Sequence, residues 1–343
     1  MKRRTRRTLL VVAAVLVLLA VAVFLRSKAP PEAARLLPES DGILYVNLRP
    51  VRTFFRKHLE PPRHDPDYQA FIDATGLDWE RDLEQAAVAM HRMDDPNGPN
   101  GPVAYSMVLV GKIRGQGLRN WLDAHATSRE SYGGATIYSI PSDGRTVRVS
   151  QIGYDMVAVS NFPTTEKIHS IVDRHRTAAL PFAGSTLLSR HYHEIPLLSI
   201  AWGMGRIGLP FNESGAINVF GLQLPLQSDS TIVASVSPEL PLGGALRVRV
   251  VDETASEQAA EAQASALTNL VGLARGVTEP LADNPPNRAL KDLLKTAEIS
   301  RSHERVVIRA TLPPSFFASL ASEEKKLPPE ATAPAPGASH PPE

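Results

Sequence analysis

The sequence predicts an α+β fold, in which mostly antiparallel sheets carry packed helices in two related tandem units behind one transmembrane helix. Three observations lead to this prediction. An uninterrupted apolar run occupies residues 9–25, near the start of the 343-residue chain. Short apolar runs with partial alternation follow, separated by turns rich in Gly, Pro, Asn and Asp, as antiparallel strands require. The order strand, helix, hairpin, helix occurs in both halves of the chain, which indicates two units.

The apolar run from Leu9 to Leu25 contains 17 residues without a charge. As a helix it would be about 26 Å long, close to the lower limit for crossing a hydrocarbon core of about 30 Å. Basic residues cluster on its N-terminal side, and fewer lie close behind it: Lys2, Arg3, Arg4, Arg6 and Arg7 before, Arg26 and Lys28 after. By the positive-inside rule the N-terminus stays in the cytoplasm, and the rest of the chain is extracytoplasmic. The sequence thus predicts a single-pass protein of a bacterial inner membrane that faces the periplasm.

A cleaved secretory signal is the alternative explanation of the same run. Ala20-Val21-Ala22 has the small-x-small form that a signal peptidase accepts, so cleavage would fall near Ala22. The apolar run continues through Leu25, however, and leaves no polar region before that position. We therefore favour the anchor, and both alternatives export the chain.

Composition and charge limit the function of the exported part. Hydrophobic residues make up 43% and charged residues 21% of the chain, which is ordinary for a folded protein. Residues 1–28 contain seven of the 37 basic residues and no acidic one, so the remaining 30 basic residues face 36 acidic ones. The resulting net charge of −6 argues against nucleic acid as a partner, because a phosphate backbone calls for a basic surface. The chain has no cysteine, which excludes disulfides, thiolate metal sites and a cysteine nucleophile.

The predicted organisation divides the chain into six segments. They are a basic cytoplasmic segment (1–8), the transmembrane helix (9–25), a linker (26–37), a first α+β unit (38–180), a second α+β unit (181–325) and a disordered tail (326–343). The tail is rich in Pro and Ala and cannot bury enough apolar area to fold.

Apolar periodicity and turn residues place the elements of the first unit. Strands are predicted at 43–48, 85–93, 103–113, 136–140, 146–152 and 156–160, and helices at 51–59, 66–75, 117–126 and 164–174. The loop Asp94–Pro102, rich in Asn, Gly and Pro, joins two of these strands as a long hairpin.

The second unit follows the same order with less regularity. Strands are predicted at 197–202, 231–237, 244–252, 298–300 and 306–311, and helices at 256–274, 288–294 and 314–322. The helix at 256–274 is the longest outside the membrane run and is rich in alanine, a strong helix former.

Three short motifs of the first unit carry a resemblance. They are Leu36-Leu37-Pro38-Glu39-Ser40-Asp41 before a strand, Thr75-Gly76-Leu77-Asp78 after a helix, and Arg81-Asp82-Leu83 before the next strand. With them, residues 36–175 resemble a group of bacterial membrane-anchored or exported proteins that contain a domain of unknown function. The resemblance implies export and an α+β fold, and it offers no catalytic residue to carry over. The residues themselves have structural roles, because Gly76 suits a helix C-terminus and Asp78 suits an N-cap.

A glycine-rich stretch forms the first candidate site. Gly203-Met204-Gly205-Arg206-Ile207-Gly208 matches G-x-G-x-x-G after a predicted strand, and such a loop can present backbone amides to a pyrophosphate. The following residues 209–215 do not continue as a helix, which the dinucleotide motif requires. We therefore interpret the stretch as a glycine-rich turn and predict no cofactor.

Two histidines and a carboxylate form the second candidate. On a strand, His191 and His193 would share a face, and with a third ligand from elsewhere in the chain they could hold zinc. Residues 187–190 favour a helix instead, where positions i and i+2 diverge by about 200°. We therefore predict no metal site here.

Motifs for nucleophilic catalysis are absent from the sequence: neither G-x-S-x-G nor S-x-x-K with its partners occurs. The sequence thus predicts no catalytic, cofactor-binding or metal-binding residue. The favoured function is a non-enzymatic binding or structural module of the cell envelope, with another protein or an envelope polymer as partner. The sheet faces and the loop Asp94–Pro102 are the candidate surfaces. The alternatives are a carrier that encloses an apolar ligand beneath helix 256–274, and an exported hydrolase.

Overall fold

The computed structural model describes residues 29–58, 64–98, 100–113, 115–142, 144–177, 184–206, 216–219, 222–225, 230–239 and 244–314. The apolar run 9–25, the predicted helix beyond Pro314 and the tail 326–343 lie outside these residues. Within the described ranges, no helix combines the length and the apolar character that crossing a bilayer requires.

The described elements are α-helices and β-strands, which occur in both halves of the chain. The helices are α1 (Glu32–Arg35), α2 (Leu48–His58), α3 (Pro66–Thr75), α4 (Trp79–Asp82), α5 (Gly115–His125), α6 (Glu166–Arg176), α7 (Thr186–His191), α8 (Glu257–Thr278) and α9 (Pro285–Thr296). The strands are β1 (Gly42–Asn47), β2 (Leu83–Arg92), β3 (Val103–Gly111), β4 (Ser128–Tyr132), β5 (Ala135–Ser142), β6 (Arg145–Gln151), β7 (Met156–Ser160), β8 (Ala201–Arg206), β9 (Ala216–Val219), β10 (Leu222–Pro225), β11 (Thr231–Pro238), β12 (Leu246–Glu253), β13 (Glu298–Ser302) and β14 (Arg305–Leu312).

Twelve of these strands form one sheet, in the order β13-β14-β12-β11-β8-β1-β2-β3-β7-β6-β5-β4. Every neighbouring pair in it is antiparallel. β9 and β10 form a separate hairpin. The predicted α+β class with mostly antiparallel strands and packed helices is confirmed. The two halves of the chain meet in the middle of the sheet, where β1 pairs with β8.

The path of the chain on either side of the β1–β8 pair follows a similar order. In the first half β1, β2 and β3 are neighbours in the sheet, a helix and the strands β4, β5 and β6 follow, and β7 returns beside β3. In the second half β8, β11 and β12 are neighbours in the sheet, with the β9–β10 hairpin between β8 and β11; two helices and β13 follow, and β14 returns beside β12. Each half therefore contains three adjacent strands and a returning strand reached through a helix.

One face of the sheet forms the main core. Side chains at alternate positions of the central strands are buried there, including Ile43, Tyr45, Ala87, Ala89, Val108, Trp202, Met204 and Val233. Helices α1, α6 and α7 pack on this face. Because successive side chains of a strand point to opposite faces, residues two positions apart lie on the same face of the sheet.

Residues 33–37 belong to this core, although the sequence analysis places them in the linker 26–37. Ala33, Ala34, Leu36 and Leu37 are at most 1% exposed, and α1 contacts β2 and β3. A single helical turn brings their small and apolar side chains onto one surface, which can then be buried. The chain therefore joins the folded body at residue 32 rather than at residue 38.

The opposite face carries helices at two separate places. At one, α3 and α5 pack together over β5 and β7, around Leu77, Leu118, Leu122, Tyr138 and Val157. At the other, α8 and α9 pack over β13 and β14, around Ala260, Leu267 and Val306. Between them lie the central strands of the sheet.

Capping residues set several of the boundaries that the sequence predicts. Asp65 accepts a hydrogen bond from the amide of Tyr68 at 2.8 Å and begins α3, and Gly76 ends it with a φ of 68°. Asp78 accepts from the amide of Glu80 at 3.0 Å and begins α4. These are the roles that side-chain caps and a left-handed glycine play at helix ends.

Four strands differ from the sequence analysis. The hairpin of β9 and β10 was not predicted. β4 was not predicted either, because Ser128-Arg129-Glu130-Ser131 has no apolar alternation and the strand is an exposed sheet edge. β8 spans Ala201–Arg206 rather than 197–202. The burial of Trp202 and Met204 sets its register, and the apolar Leu197 and Leu198 are exposed in the preceding turn.

Candidate functional site

An open cleft of about 390 Å³ lies at the end of the sheet where β2 and β7 finish. We call it the His91 cleft. Three segments converge on it: the approach to β1, the end of β2, and the connection from β7 into α6. Its lining residues are Glu39, Ser40, Asp41, His91, Arg92, Met93, Asp94, Phe162 and Lys167.

A buried hydrogen-bond chain lies beneath the cleft. His91 Nε2 is 2.9 Å from Ser106 Oγ, and Ser106 Oγ is 3.0 Å from Ser160 Oγ. The amide of Phe162 donates to Ser160 Oγ at 3.3 Å. We assign the donors so that each group is satisfied: the Ser160 hydroxyl donates to Ser106 Oγ, and the Ser106 hydroxyl donates to His91 Nε2. His91 Nδ1–H then donates to the backbone of Glu39.

Burial controls the charge of His91. The imidazole is 3% exposed, and its pKa is lowered from 6.5 to about 4, first by burial and then by the positive charge of Lys167. His91 is therefore neutral at pH 7 and can accept the Ser106 proton. The hydrogen-bond chain connects one side chain from each of the strands β2, β3 and β7.

The two serines of this chain are poorly placed to be nucleophiles. Ser106 is 0% and Ser160 is 1% exposed, so a substrate in the cleft cannot reach either hydroxyl. The Asp41 carboxylate accepts a hydrogen bond from the amide of Arg92 at 2.7 Å, and the ring of His91 is hydrogen-bonded to Ser106 and to the backbone of Glu39. The arrangement offers hydrolysis no accessible nucleophile at this cleft.

One wall of the cleft combines an aromatic ring with a cation. Lys167 Nζ lies 5.1 Å from the centroid of the Phe162 ring, which is within cation–π range, and 3.5 Å from the backbone oxygen of Glu39. The Glu39 carboxylate accepts from Arg174 at 3.1 Å and from the amide of Thr186 at 3.0 Å. These contacts fix the wall to α6 and α7.

The opposite wall carries the start of the predicted surface loop. Met93 donates its amide to the oxygen of Pro102 at 3.0 Å, which closes the loop at its base, and Asp94 lines the cleft. The hydroxyl oxygen of Ser40 is buried and makes no hydrogen bond within the described part of the chain. The cleft therefore presents acidic, basic and aromatic groups together.

The metal candidate is not assembled. His191 is 7% exposed and its Nδ1 lies 3.4 Å from Glu253 Oε2, whereas the side chain of His193 is 61% exposed. Residues Thr186–His191 are helical, as the sequence analysis favoured, and a 3₁₀ turn covers Tyr192–Glu194. Among the residues that the structure describes, no group of three His, Asp or Glu side chains is placed to hold a metal ion.

Glu194 instead holds this turn against the sheet. Its carboxylate lies 3.0 Å from Arg249 Nη2 and 2.8 Å from Arg305 Nη1, on β12 and β14. Burial alone would raise the Glu194 pKa, but the hydrogen bond from Arg249 and the charge of Arg305 lower it on balance. Glu194 is therefore a structural ion-pair centre.

The glycine-rich candidate lies in a strand, so the expected glycine-rich turn is wrong. Residues Gly203 to Arg206 belong to β8, paired with β1 on one side and β11 on the other, and Gly208 lies outside the described residues. The described glycines are in an extended ladder and not at a helix N-terminus. Their backbone amides serve the sheet rather than a pyrophosphate.

Sequence reasoning missed the His91 cleft. His91, Ser106 and Ser160 are separated by 15 and 54 residues, and only the register of β2, β3 and β7 brings them together. One signal was present: His91 continues the alternation of the buried Ala87 and Ala89. A polar residue at a buried strand position requires a partner, which a neighbouring strand must supply.

Comparison with known proteins leaves the family open. No family model matches the chain, and no curated protein sequence matches it. The solved structures that match include two crystal forms of TP0453. Form IV gives a TM-score of 0.47 at 13% identity, covering 84% of this chain and 96% of that chain, and form III gives 0.45 at 13%, covering 85% and 99%. Similarity this low establishes neither a shared fold nor a shared function.

The fold and the cleft together define a class. The described part is an α+β protein with one large antiparallel sheet, helices on both faces, and an open polar cleft at the end of its central strands.

Proposed function

We propose that this chain is a membrane-anchored extracytoplasmic protein of the cell envelope with a non-enzymatic binding function. Residues 9–25 anchor it, with the N-terminus in the cytoplasm and the sheet on the far side of the inner membrane. The His91 cleft binds a charged segment of a partner protein of the envelope. The apolar run and its basic flank support the anchor.

One observation carries the binding function. The groups exposed in the cleft are charged and aromatic side chains, while the hydroxyls beneath it are buried and hydrogen-bonded. Ion pairs and a cation–π wall suit recognition of a partner that carries both signs of charge. Neither the closed apolar cavity of a carrier nor the accessible nucleophile of a hydrolase is formed at this cleft.

The finer organisation into two related units is part of the same proposal. The repeated order of three adjacent strands, helix and returning strand supports it. The antiparallel β1–β8 pair would then join the two units into one sheet.

Affinity purification of the full chain from detergent-solubilised membranes tests the binding function. Phe162→Ala removes the ring of the wall and keeps the backbone hydrogen bond to Ser160, and Lys167→Glu reverses the charge of the wall. Matched controls are Tyr154→Ala, where the side chain is 94% exposed, and Lys112→Glu, at the opposite end of β3.

Recovery of one partner with the wild type and both controls, and its loss with the two cleft variants, is the expected result. We expect a loss of about tenfold for Lys167→Glu, since a reversed charge costs at least about 1.4 kcal/mol at an ion-paired contact. Equal recovery with cleft variants and controls would refute binding at the cleft. Recovery of an envelope polymer instead of a protein would refute the partner class.

A further inference from the structure

Strand β4 (Ser128–Tyr132) is an open edge of the twelve-stranded sheet. Within the residues that the structure describes it pairs with β5 alone, and its first four residues are exposed. The edge is regular, because the register with β5 has no bulge within β4 and the strand contains no proline. A regular edge is a template for a further strand, which is why natural proteins usually protect such edges.

The turn after β4 determines which backbone groups face outward. Gly133 and Gly134 have φ values of 59° and 84°, and a two-residue type I′ hairpin requires positive φ at both positions. Tyr132, which precedes this turn, is therefore hydrogen-bonded to β5. Bonded and non-bonded positions alternate along an antiparallel pair. The amide and carbonyl groups of Arg129 and Ser131 therefore point away from β5, where a further strand can reach them.

A hydrogen bond at the other end of β4 agrees with this assignment. The carbonyl oxygen of Ser139, the register partner of Ser128, faces β4 and accepts from the amide of Thr127 at 2.8 Å. Ser128 lies four positions before Tyr132, so both ends of β4 have the same parity. The even-numbered residues of β4 bond to β5, and the odd-numbered residues face outward.

The two charged side chains of β4 are held by helices of the same copy. Arg129 Nη1 lies 2.8 Å from Asp123 Oδ1 on α5, and Glu130 Oε1 lies 2.9 Å from His169 Nε2 on α6. Charged side chains on an edge can repel another strand, but these two are drawn onto the two faces of their own sheet. Both helices pack on strands further inside the sheet, α5 on β5 and α6 on β6 and β7. They leave room beside β4.

A second copy of this chain is the occupant that the charge pattern of β4 fits. Two antiparallel copies of β4 related by a twofold axis have three registers centred inside the strand, on Arg129, Glu130 or Ser131. The first register places two arginines opposite each other and the second two glutamates, and like charges directly opposite destabilise a sheet. The register centred on Ser131 places Glu130 opposite Tyr132 and Arg129 opposite Gly133, so like charges are not opposed.

We propose that β4 pairs antiparallel with β4 of a second copy, about a twofold axis at Ser131. The two Ser131 residues exchange backbone hydrogen bonds, and the two sheets become one continuous sheet. The other edge strand, β13, differs from β4 because α8 packs directly on it. This inference is independent of the proposed anchor and of the His91 cleft.

Cysteine cross-linking of the full chain tests the register, because the natural chain has no cysteine. Ser131→Cys, Arg129→Cys and Ser300→Cys, the last on β13, are purified in mild detergent and oxidised with copper phenanthroline. In the proposed register the two Cα atoms at position 131 lie about 5.5 Å apart, which a disulfide can span. The two Cα atoms at position 129 lie four positions apart along the strands, at about 13 Å.

We expect Ser131→Cys to form a disulfide-linked dimer on a non-reducing gel. Arg129→Cys and Ser300→Cys should form it at least about tenfold more slowly, because their thiols are outside disulfide range. Equal rates for Ser131→Cys and Arg129→Cys would overturn the inference, since random collision gives no preference for position 131. A dimer formed only by Ser300→Cys, or by none of the three variants, would also overturn it.

A backbone substitution tests the same contact without a thiol. Ser131→Pro removes the outward amide and leaves the bonds between β4 and β5 in place, and proline is tolerated on an edge strand. Ser131→Val is the matched control, because it keeps the amide and favours a strand. Light scattering after size exclusion measures the molar mass of each protein, and circular dichroism checks that each one folds.

We expect the wild type and Ser131→Val to be dimeric and Ser131→Pro to have a Kd for the dimer that is raised at least about tenfold. A monomeric wild type would overturn the inference. A Ser131→Pro variant that dimerises as the wild type does would overturn it too, since the contact would then lie elsewhere. If Ser131→Pro does not fold, the cysteine result decides.

Discussion

His91 illustrates how much of the candidate site depends on single buried side chains. Its imidazole is neutral because burial lowers its pKa, and its two nitrogens are used by a serine hydroxyl and a backbone oxygen. The sequence could indicate that a polar side chain occupies a buried strand position, since His91 follows Ala87 and Ala89 in the alternation. It could not indicate the partner, because Ser106 lies on another strand and the register is set by the whole pairing.

The first test concerns the pH dependence that His91 imposes. Its pKa of about 4 in the folded protein lies below the value of 6.5 for an unfolded chain, so the unfolded state binds the proton first as pH falls. Stability from this residue is present above pH 6.5 and is lost between pH 6.5 and 4, by about 3 kcal/mol in total. Urea unfolding of the full chain in detergent should show a loss of about 2 kcal/mol between pH 7 and pH 5 that His91→Gln lacks. An identical loss in both proteins would contradict this role.

The second test concerns Asp252, which is fully buried on β12. Burial raises the pKa of the Asp252 carboxyl, and a side-chain hydrogen bond with Ser230 opposes this to a smaller extent. Because the folded protein holds this proton more tightly, the stability that protonation gives is present at acidic pH. It is lost as pH rises through the folded pKa.

Asp252→Asn removes this charge with little change of shape. At pH 7 we expect the free energy of unfolding to rise on the order of 1 kcal/mol, since it is costly to hold a buried carboxylate in its charged form. The gain should shrink toward pH 4. Asp155→Asn, in the exposed turn before β7, is the control and should leave stability unchanged. A destabilised Asp252→Asn variant would mean that the carboxylate has a stabilising partner.

At the scale of elements, the sequence predicts best what local chemistry determines. Asp65 and Gly76 mark the ends of α3, and the alternation of Leu246, Val248 and Val250 marks β12. Local sequence patterns do not predict the contacts between elements. The sequence analysis places residues 33–37 in a linker, because the sheet face that buries them is formed by strands that come later in the chain.

Gly117 shows a contact of this kind between α3 and α5. A Cβ at this position would collide with the backbone oxygen of Thr75, the last residue of α3, so the two helices could not keep their separation. We expect Gly117→Ala to lower the free energy of unfolding by about 1–3 kcal/mol. Gly272 is the matched control, because it lies on α8 with open space around it.

Gly272→Ala should raise stability by about 0.5–1 kcal/mol, since alanine favours the helix and meets no neighbour. Thermal unfolding of both variants measures these changes. Equal effects of the two substitutions would show that the α3–α5 contact does not depend on a glycine.

At the scale of the whole molecule, the sequence predicts the α+β class and the antiparallel pairing of neighbouring strands. It does not predict that both halves share one sheet. The β1–β8 pair joins residues about 160 positions apart, and no hairpin turn in the sequence indicates this pairing. The His91 cleft depends instead on pairing within the first half, because its lining residues all lie between Glu39 and Lys167.

The proposed function requires that this sheet lie on the extracytoplasmic side of the membrane. The chain has no cysteine, so a single Tyr154→Cys substitution supplies one thiol on the sheet side at a residue that is 94% exposed. Thr5→Cys supplies one thiol before the apolar run. Each variant is treated in spheroplasts with a maleimide that cannot cross the membrane, before and after permeabilisation.

We expect Tyr154→Cys to be labelled in intact spheroplasts, and Thr5→Cys to be labelled only after permeabilisation. Both proteins should sediment with the membrane. Labelling of Tyr154→Cys only after permeabilisation would place the sheet in the cytoplasm and contradict the account.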